Sequence, residues 1–222
     1  FASASGQTYV GQIFKRAPNF LDVVAYTGSG ANTVINHNLD AIPEMVWVKN
    51  RGRSQNWNVY HKDLELNGDP ASECRLFLNT DAAVSSGAVF WGTHTNTTFT
   101  MTVQNFQTNY PNDTYMAYLF ATLAGVSKVG SYTGNGSSQT IDCGFTSGAR
   151  FILIKRTDST GDWYVWDTER GIVAGNDPYL ELNTTDAEVT STDWVDPDNS
   201  GFIVNGTTIN ASSAEYIFYS VA

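Results

Sequence analysis

One long internal repeat constrains the fold of this sequence more than any other feature. Val24–Gly30 matches Gly130–Gly136, and this match places Tyr132 at 132 minus 26, or 106 positions, after Tyr26. Three further pairs match at offsets of 106 (151 minus 45), 104 (180 minus 76) and 98 (216 minus 118): Met45–Lys49 with Phe151–Lys155, Leu76–Thr80 with Leu180–Thr184, and Tyr118–Phe120 with Tyr216–Phe218. Because insertions collect in loops while strands keep their register, the pattern predicts two copies of a unit of about 100 residues.

The repeat divides the chain into three parts. Residues 1–20 form a leader, residues 21–124 the first repeat and residues 125–222 the second. The joint Leu123–Val126 is too short to act as a flexible tether, so we expect the two repeats to be held rigidly against each other. The leader segment Thr8–Lys15 can form a strand that continues from an upstream region, and the absence of an initiator Met suggests a chain that was cut from something longer or was processed.

The local pattern within each repeat is strand after strand. Short runs rich in β-branched and aromatic residues alternate with turns of Gly, Asn, Asp and Pro, and no window of about a dozen residues has a helical period. We predict an all-β fold of two tandem, similar β-sandwich (jelly-roll-like) domains that pack closely together. Phe151–Ile154 is apolar on both faces. We expect it to be a central strand, covered on its second face by a neighbouring domain, loop or subunit.

Composition excludes several classes of partner. Charged residues make up only 15% of the chain, and Lys+Arg 12 against Asp+Glu 22 gives a net charge of -10. This balance provides no electrostatic footprint for nucleic-acid phosphates or anionic lipid. No apolar run approaches the roughly 20 residues of a membrane helix. We therefore expect no nucleic-acid partner and no membrane insertion.

Side chains that could bind a metal or a cofactor are scattered. His37, His61 and His94 all lie in the first repeat, and the positions equivalent to His37 and His61 hold Cys143 and Asp167. Cys74 and Cys143 have no metal-ligand spacing, so the sequence predicts two buried, unpaired thiols. The Gly-x-Gly pairs at residues 28 and 134 precede strands, not helices, which indicates turns, and no serine or cysteine nucleophile motif occurs. We therefore predict that the chain is not an enzyme and that it needs no cofactor.

Acidic loops leave one enzymatic alternative open, a glycan depolymerase, since two carboxylates suffice for glycoside hydrolysis. The candidates are Asp162, Asp167, Glu169, Asp193, Asp196 and Asp198. Asp196–Gly201 also looks like half of a calcium loop, but the twelfth position is Thr207, which cannot supply the bidentate carboxylate. A turn explains this segment without an ion.

Aromatic residues leave a second alternative, a carbohydrate-binding module. Trp57 and Trp163 occupy matching positions and are predicted to be packing residues. Trp91 and Trp194 lie in segments that differ between the repeats, so we expect them to be exposed and able to stack on a sugar ring as glycan contacts.

Long strings of residues resemble a known family. They are Lys15–Val24 leading into Tyr26–Gly28, Val126–Gly136, Ile154–Asp158, Gly161–Asp167, Gly175–Asp177 and Leu182–Thr184. With these strings the chain resembles a duplicated β-domain of unknown function found in tail-fibre and other structural proteins of marine bacteriophages, notably those that infect cyanobacteria. The resemblance carries over no catalytic residues, and Cys74, opposite Pro178, is a local departure.

The resemblance implies a non-enzymatic virion structural protein, tail-fibre or tail-associated, that serves display and host-surface attachment. The paired units usually close the C-terminus of a larger virion protein. The partners implied are other copies of the chain in a homo-oligomer such as a trimer, other virion proteins, and a host-surface glycan. The implied location is the extracellular virus particle.

Overall fold

The chain folds almost entirely as antiparallel β-structure. A computed structural model describes residue 6 and residues 9–102 and 105–222. In these ranges the only helical segment is a short 3-10 helix, Ala71–Glu73. The prediction of an all-β fold is confirmed.

The first part of the chain builds one large sheet and one small sheet. Its strands are β1 (Leu21–Thr27), β2 (Thr33–Asn36), β3 (Met45–Asn50), β4 (Asn58–His61), β5 (Leu76–Phe77), β6 (Thr98–Met101) and β7 (Thr114–Phe120). The five-stranded sheet has the order β1-β7-β3-β4-β5, and β2 pairs with β6 in a two-stranded sheet. Val46 and Val48 of β3 are fully buried, as alternate positions facing one side of a sheet require.

The second part builds a corresponding pair of sheets. Its strands are β8 (Ser127–Thr133), β9 (Gln139–Asp142), β10 (Phe151–Arg156), β11 (Trp163–Asp167), β12 (Leu180–Glu181), β13 (Val195–Asp198), β14 (Gly201–Val204) and β15 (Glu215–Val221). The five-stranded sheet β8-β15-β10-β11-β12 has the strand order of the first large sheet, and the small sheet is β13-β14-β9.

The pairing register places the two large sheets in correspondence up to their last strands. Tyr26 pairs with Tyr115 and Tyr132 pairs with Tyr216, so these last strands correspond at 216 minus 115, or 101 positions. The offset of 98 that the sequence suggested there is wrong. An error of three residues is odd, and an odd shift sends every side chain to the opposite face of the sheet.

Apolar side chains form three cores. Tyr26, Phe99 and Tyr115 belong to the core between β2-β6 and the first large sheet. Tyr132, Phe202 and Tyr216 belong to the equivalent core in the second part.

The third core lies between the two large sheets, which pack face to face. It contains Met45, Val59 and Phe120 from the first sheet together with Leu153 and Tyr219 from the second. The rings of Phe120 and Tyr219 meet with centroids 4.9 Å apart. The body therefore has four layers, with the two large sheets in the middle.

Strand β10 lies between two of these cores. Ile152 and Ile154 face the core of the second part, and Phe151 and Leu153 face the core between the large sheets. All four residues are buried. The prediction of a central strand covered on both faces is confirmed.

The leader contacts the second part of the chain through side chains. Phe14 packs on Phe151 with ring centroids 5.3 Å apart, and Gln12 donates a hydrogen bond to Asp167 Oδ2 at 2.8 Å. Residues 9–16 form no strand. The expected leader strand is therefore absent from these residues, because the segment packs on the body without pairing along a sheet edge; residues 1–5, 7 and 8 lie outside the described residues.

Candidate functional site

Trp91 is a core residue and not a surface aromatic. Its side chain is 0% exposed, and its indole Nε1 donates a hydrogen bond to the carbonyl oxygen of Cys74 at 3.0 Å. Its backbone forms an isolated bridge with Met101 at the end of β6. The expectation that Trp91 is exposed for glycan contact is wrong, because this bridge turns the side chain inward.

Trp194 lies at the surface but is partly covered. Its ring stacks on Tyr179, with centroids 4.9 Å apart and an interplanar angle of 17°. It also closes over Gly206, where a Cβ atom would lie 2.4 Å from Trp194 Cδ1. Of the two tryptophans singled out in the sequence, only Trp194 keeps exposed surface, and one face of its ring is already occupied.

The aligned tryptophans Trp57 and Trp163 differ in how deeply they are buried. Trp163 is buried in the core between the large sheets, where its indole Nε1 donates to the carbonyl oxygen of Phe77 at 2.9 Å. Trp57, which the sequence aligns with Trp163, is only half-buried. The predicted packing role is thus fulfilled most completely in the second repeat.

The histidines act as packing residues. His37 and His61 are buried, and the ring of His94 meets that of Tyr60 edge-on with centroids 4.7 Å apart. Burial lowers the pKa of His61 and that of His94 to about 4, so both are neutral at pH 7. Within the ranges that the structure describes, no three His, Cys, Asp or Glu side chains converge as metal ligands would.

The two cysteines are free and buried, as predicted. Burial raises the pKa of the Cys143 thiol to about 12. Neither position therefore offers a reactive thiolate at neutral pH.

The acidic candidates form local structural contacts. Asp167 pairs with Arg170 at 2.5 Å and accepts backbone N–H groups of the following turn. Asp162 accepts a hydrogen bond from Asn183 at 2.7 Å, and Asp196 accepts one from Asn205 at 2.7 Å.

The segment that looks like half of a calcium loop is a β-hairpin. Asp198 pairs with Gly201 across the turn between β13 and β14, and its Oδ1 accepts the backbone N–H of Ser200 at 2.8 Å. The interpretation of this segment as a turn is confirmed. Asp193 Oδ1 lies 3.4 Å from the amide nitrogen of Asn205, and Glu169 follows Asp167 in its turn.

A cleft in the first part is lined by an arginine and two aromatic side chains, and we name it the Arg75 cleft. It has a volume of about 440 Å³, within the range typical of small-ligand sites. The residues that line it are Gln55, Arg75, Ala88, Phe90, Asn105, Phe106 and Gln107.

Two aromatic rings hold the guanidinium group of Arg75. Its central carbon lies 4.1 Å from the ring centroid of Phe90 and 5.1 Å from that of Phe77. Nη1 donates to Gln107 Oε1 at 3.2 Å, whereas Nε is buried and has no hydrogen-bond partner among the described residues. Burial lowers the pKa of Arg75, and none of the ion pairs among the described residues includes its guanidinium group.

Several other arginines form ion pairs with carboxylates. Arg53 pairs with Asp113 at 2.5 Å, Arg156 with Asp158 at 2.8 Å and Arg16 with Asp22 at 2.5 Å. In a chain with a net charge of -10, a half-buried arginine without a carboxylate partner is unusual, because a buried charge is costly unless it is paired.

The equivalent place in the second part is filled. Arg75 bridges Ser85 and Tyr179 bridges Val189, so Tyr179 takes the position of Arg75. The carbonyl of Phe90 accepts the N–H of Thr102 as that of Trp194 accepts the N–H of Asn205, so Trp194 takes the position of Phe90. The stacked Tyr179 and Trp194 rings therefore replace the cation and its open cleft.

Sequence reasoning missed the Arg75 cleft although a signal was present. The offset of 104 between Leu76 and Leu180 also aligns Arg75 with Tyr179 and Phe90 with Trp194. A charged residue opposite an aromatic one marks the place where the two parts of the chain differ in chemistry.

A comparison with known protein families identifies the family of the chain. The model of a family described as a domain of unknown function (DUF7483) matches residues 11–222. The chain belongs to this family. No curated protein and no solved structure matches this DUF7483 chain. Among its described residues, no helix is both long enough and apolar enough to span a membrane.

Proposed function

We propose that this DUF7483 chain is a non-enzymatic structural module of a phage virion protein, tail-fibre or tail-associated, that displays a surface for host attachment. The family strings around Tyr26 and Tyr132 support the virion setting. The observation that carries the display role is the core between the two large sheets, because it joins both parts of the chain into one rigid body.

Polar contacts reinforce this rigidity. Lys155 Nζ, from β10, donates to the carbonyl oxygen of Asp81 at 3.1 Å, and Gly161 N donates to the same oxygen at 2.9 Å. Val84 N donates to Thr157 O at 2.9 Å. At the joint, Leu123 and Ser127 form a bridge that fixes the linker. A rigid body of this kind suits a part that must hold a binding surface at a fixed position on a particle.

We further propose that the chain comprises two tandem β-sandwich, jelly-roll-like domains derived by duplication. Two observations support this proposal. In each part the first strand pairs with the last strand, namely β1 with β7 and β8 with β15. The second strand of each part pairs with the next-to-last strand, namely β2 with β6 and β9 with β14. The stacked pair Tyr26 and Tyr115 has its counterpart in Tyr132 and Tyr216, with ring centroids 5.1 and 4.9 Å apart.

The proposed partners are other copies of the chain in a trimer and other virion proteins. Single exposed apolar side chains such as Ile42, Val89 and Val173 are available for such contacts. Light scattering of the purified chain tests this part of the proposal: a trimer supports it, and a monomer at high micromolar concentration contradicts it.

A carbohydrate-binding role is the second candidate, and the Arg75 cleft favours it. Trp91 does not support it, since its side chain is buried. A depolymerase role is less favoured, because Asp162, Asp167 and Asp196 are engaged in structural contacts.

Immunogold labelling of purified virus particles tests the virion setting. An antibody against the chain is expected to mark tails or fibres. Particles that carry no gold, while the same antibody detects the chain in infected cells, would contradict the proposal.

A further inference from the structure

We propose that the Arg75 cleft binds a saccharide that carries an oxyanion, either a carboxylate or a sulfate. The inference rests on the proposed attachment function only in its biological setting, since the chemistry of the cleft is independent of where the chain is displayed.

The first argument is the uncompensated cation. Arg75 has no carboxylate partner among the described residues, and its Nε–H is buried without a hydrogen-bond acceptor. A guanidinium group offers its N–H groups in a planar fork that matches the oxygens of a carboxylate or a sulfate. An oxyanion in the cleft would therefore supply the opposite charge that no described carboxylate provides.

The second argument is the fixed position of this cation. Phe90 and Phe77 flank the guanidinium at 4.1 and 5.1 Å, and Gln107 Oε1 accepts from Nη1 at 3.2 Å. A side chain held in this way loses little conformational freedom when a ligand binds.

The third argument concerns the rest of the lining, which suits a sugar. Phe106 is 47% exposed, and its ring is held in place by stacking on Tyr110 with centroids 4.1 Å apart. The C–H face of a sugar ring can pack on such an aromatic surface. The amide side chains of Gln55, Asn105 and Gln107 provide donors and acceptors for hydroxyl groups.

The fourth argument is the contrast within the chain. The equivalent place in the second part holds the stacked rings of Tyr179 and Trp194 and no cation. The site is therefore expected once per chain. A nearby arginine, Arg53, already forms an ion pair with Asp113.

The test is a titration of the full chain with each probe. Nuclear magnetic resonance monitors the signals of the Arg75 Nε–H and of the backbone amides of residues 105–107. The probes are tetragalacturonate, its methyl ester, a sulfated tetrasaccharide and a tetraglutamate peptide. We expect saturable shifts with at least one of the two anionic saccharides. Charge-assisted hydrogen bonds imply binding at least about tenfold weaker for the neutral ester. The two anionic probes distinguish a carboxylate from a sulfate.

Variants make the assignment specific. Arg75→Gln and Phe106→Ala are each expected to weaken binding about tenfold or more. Arg156→Gln, which changes the net charge equally in the second part of the chain, is expected to leave binding unchanged. Thermal unfolding of each variant shows whether the fold is retained, and the shifts of the wild-type Arg75 signal remain informative if Arg75→Gln fails to fold.

Three results would overturn the proposal. They are no shift with either anionic saccharide at millimolar concentration, equal binding of the acid and its methyl ester, or equally tight binding of the glutamate peptide. Failure here with positive gold labelling removes the saccharide site and leaves the virion role. Binding here without labelling removes the virion role and leaves the site.

Discussion

Replacing Leu153 with Ala tests whether the two large sheets fold as one body. Leu153 is 1% exposed and lies on the face of β10 that packs against the first large sheet. Its strand neighbours are Val165 in β11 and Tyr219 in β15. The side chain is thus enclosed by its own sheet and by the opposite sheet.

The expected loss of stability follows from this enclosure. Leu→Ala removes three buried carbon groups, and at about 0.8 kcal/mol for each the transfer part alone is about 2.4 kcal/mol. Because β10 is held between β11 and β15, the site cannot collapse fully, and the remaining cavity brings the total to about 3–4 kcal/mol. For a body of this size the midpoint of thermal unfolding is expected to fall by about 6–16 °C.

The assay is urea unfolding combined with hydrogen exchange of peptides from both parts of the chain. Peptides that cover β3 and β4 are expected to lose as much protection as those that cover β10 and β11. Leu182→Ala is the matched control, since Leu182 is 44% exposed, and its effect is expected to stay within about 0.5 kcal/mol. Separate unfolding steps, with only the second part shifted by Leu153→Ala, would refute the reasoning.

Three further predictions follow from individual contacts. Burial lowers the pKa of His61 from 6.5 to about 4; the stability linked to neutral His61 is therefore fully present above pH 6.5 and is lost as the pH falls towards 4, by at most about 3 kcal/mol. His61→Gln should remove that part of the acid sensitivity in urea unfolding measured at several pH values, and an unchanged pH dependence would contradict the assignment. Gly134→Ala places a Cβ atom 2.1 Å from the carbonyl oxygen of Ala211 and should cost about 1–3 kcal/mol, whereas Gly52→Ala, where the nearest atom is 3.9 Å away, should be nearly neutral; equal melting temperatures for the two variants would be the contrary result. Trp91→Ala should cost about 3–5 kcal/mol as a buried tryptophan, and Trp194→Ala clearly less, since it is only half-buried; calorimetry that ranks them in the opposite order would show the burial to be misassigned.

The sequence alone determined the features that depend on local chain geometry. Alternate residues of a strand point to opposite faces, so the apolar run Phe151–Ile154 already required cover on both sides. Turn residues and the absence of a helical period fixed the all-β class. The lack of ligand spacing around Cys74 and Cys143 predicted free thiols, which the structure confirms.

Tertiary structure decided the features that depend on which distant segments meet. A bridge to Met101 buries Trp91, and no pattern around residue 91 predicts that contact. The true offset of 101 between the last strands is set by strand pairing across the sheet, and one odd shift reverses which face is buried. The lack of a carboxylate partner for Arg75 among the described residues is likewise a property of the tertiary structure, because folding decides which charged groups lie near it. Local periodicity is written into the chain, whereas partners and cavities arise from loop closure and packing between segments far apart in sequence.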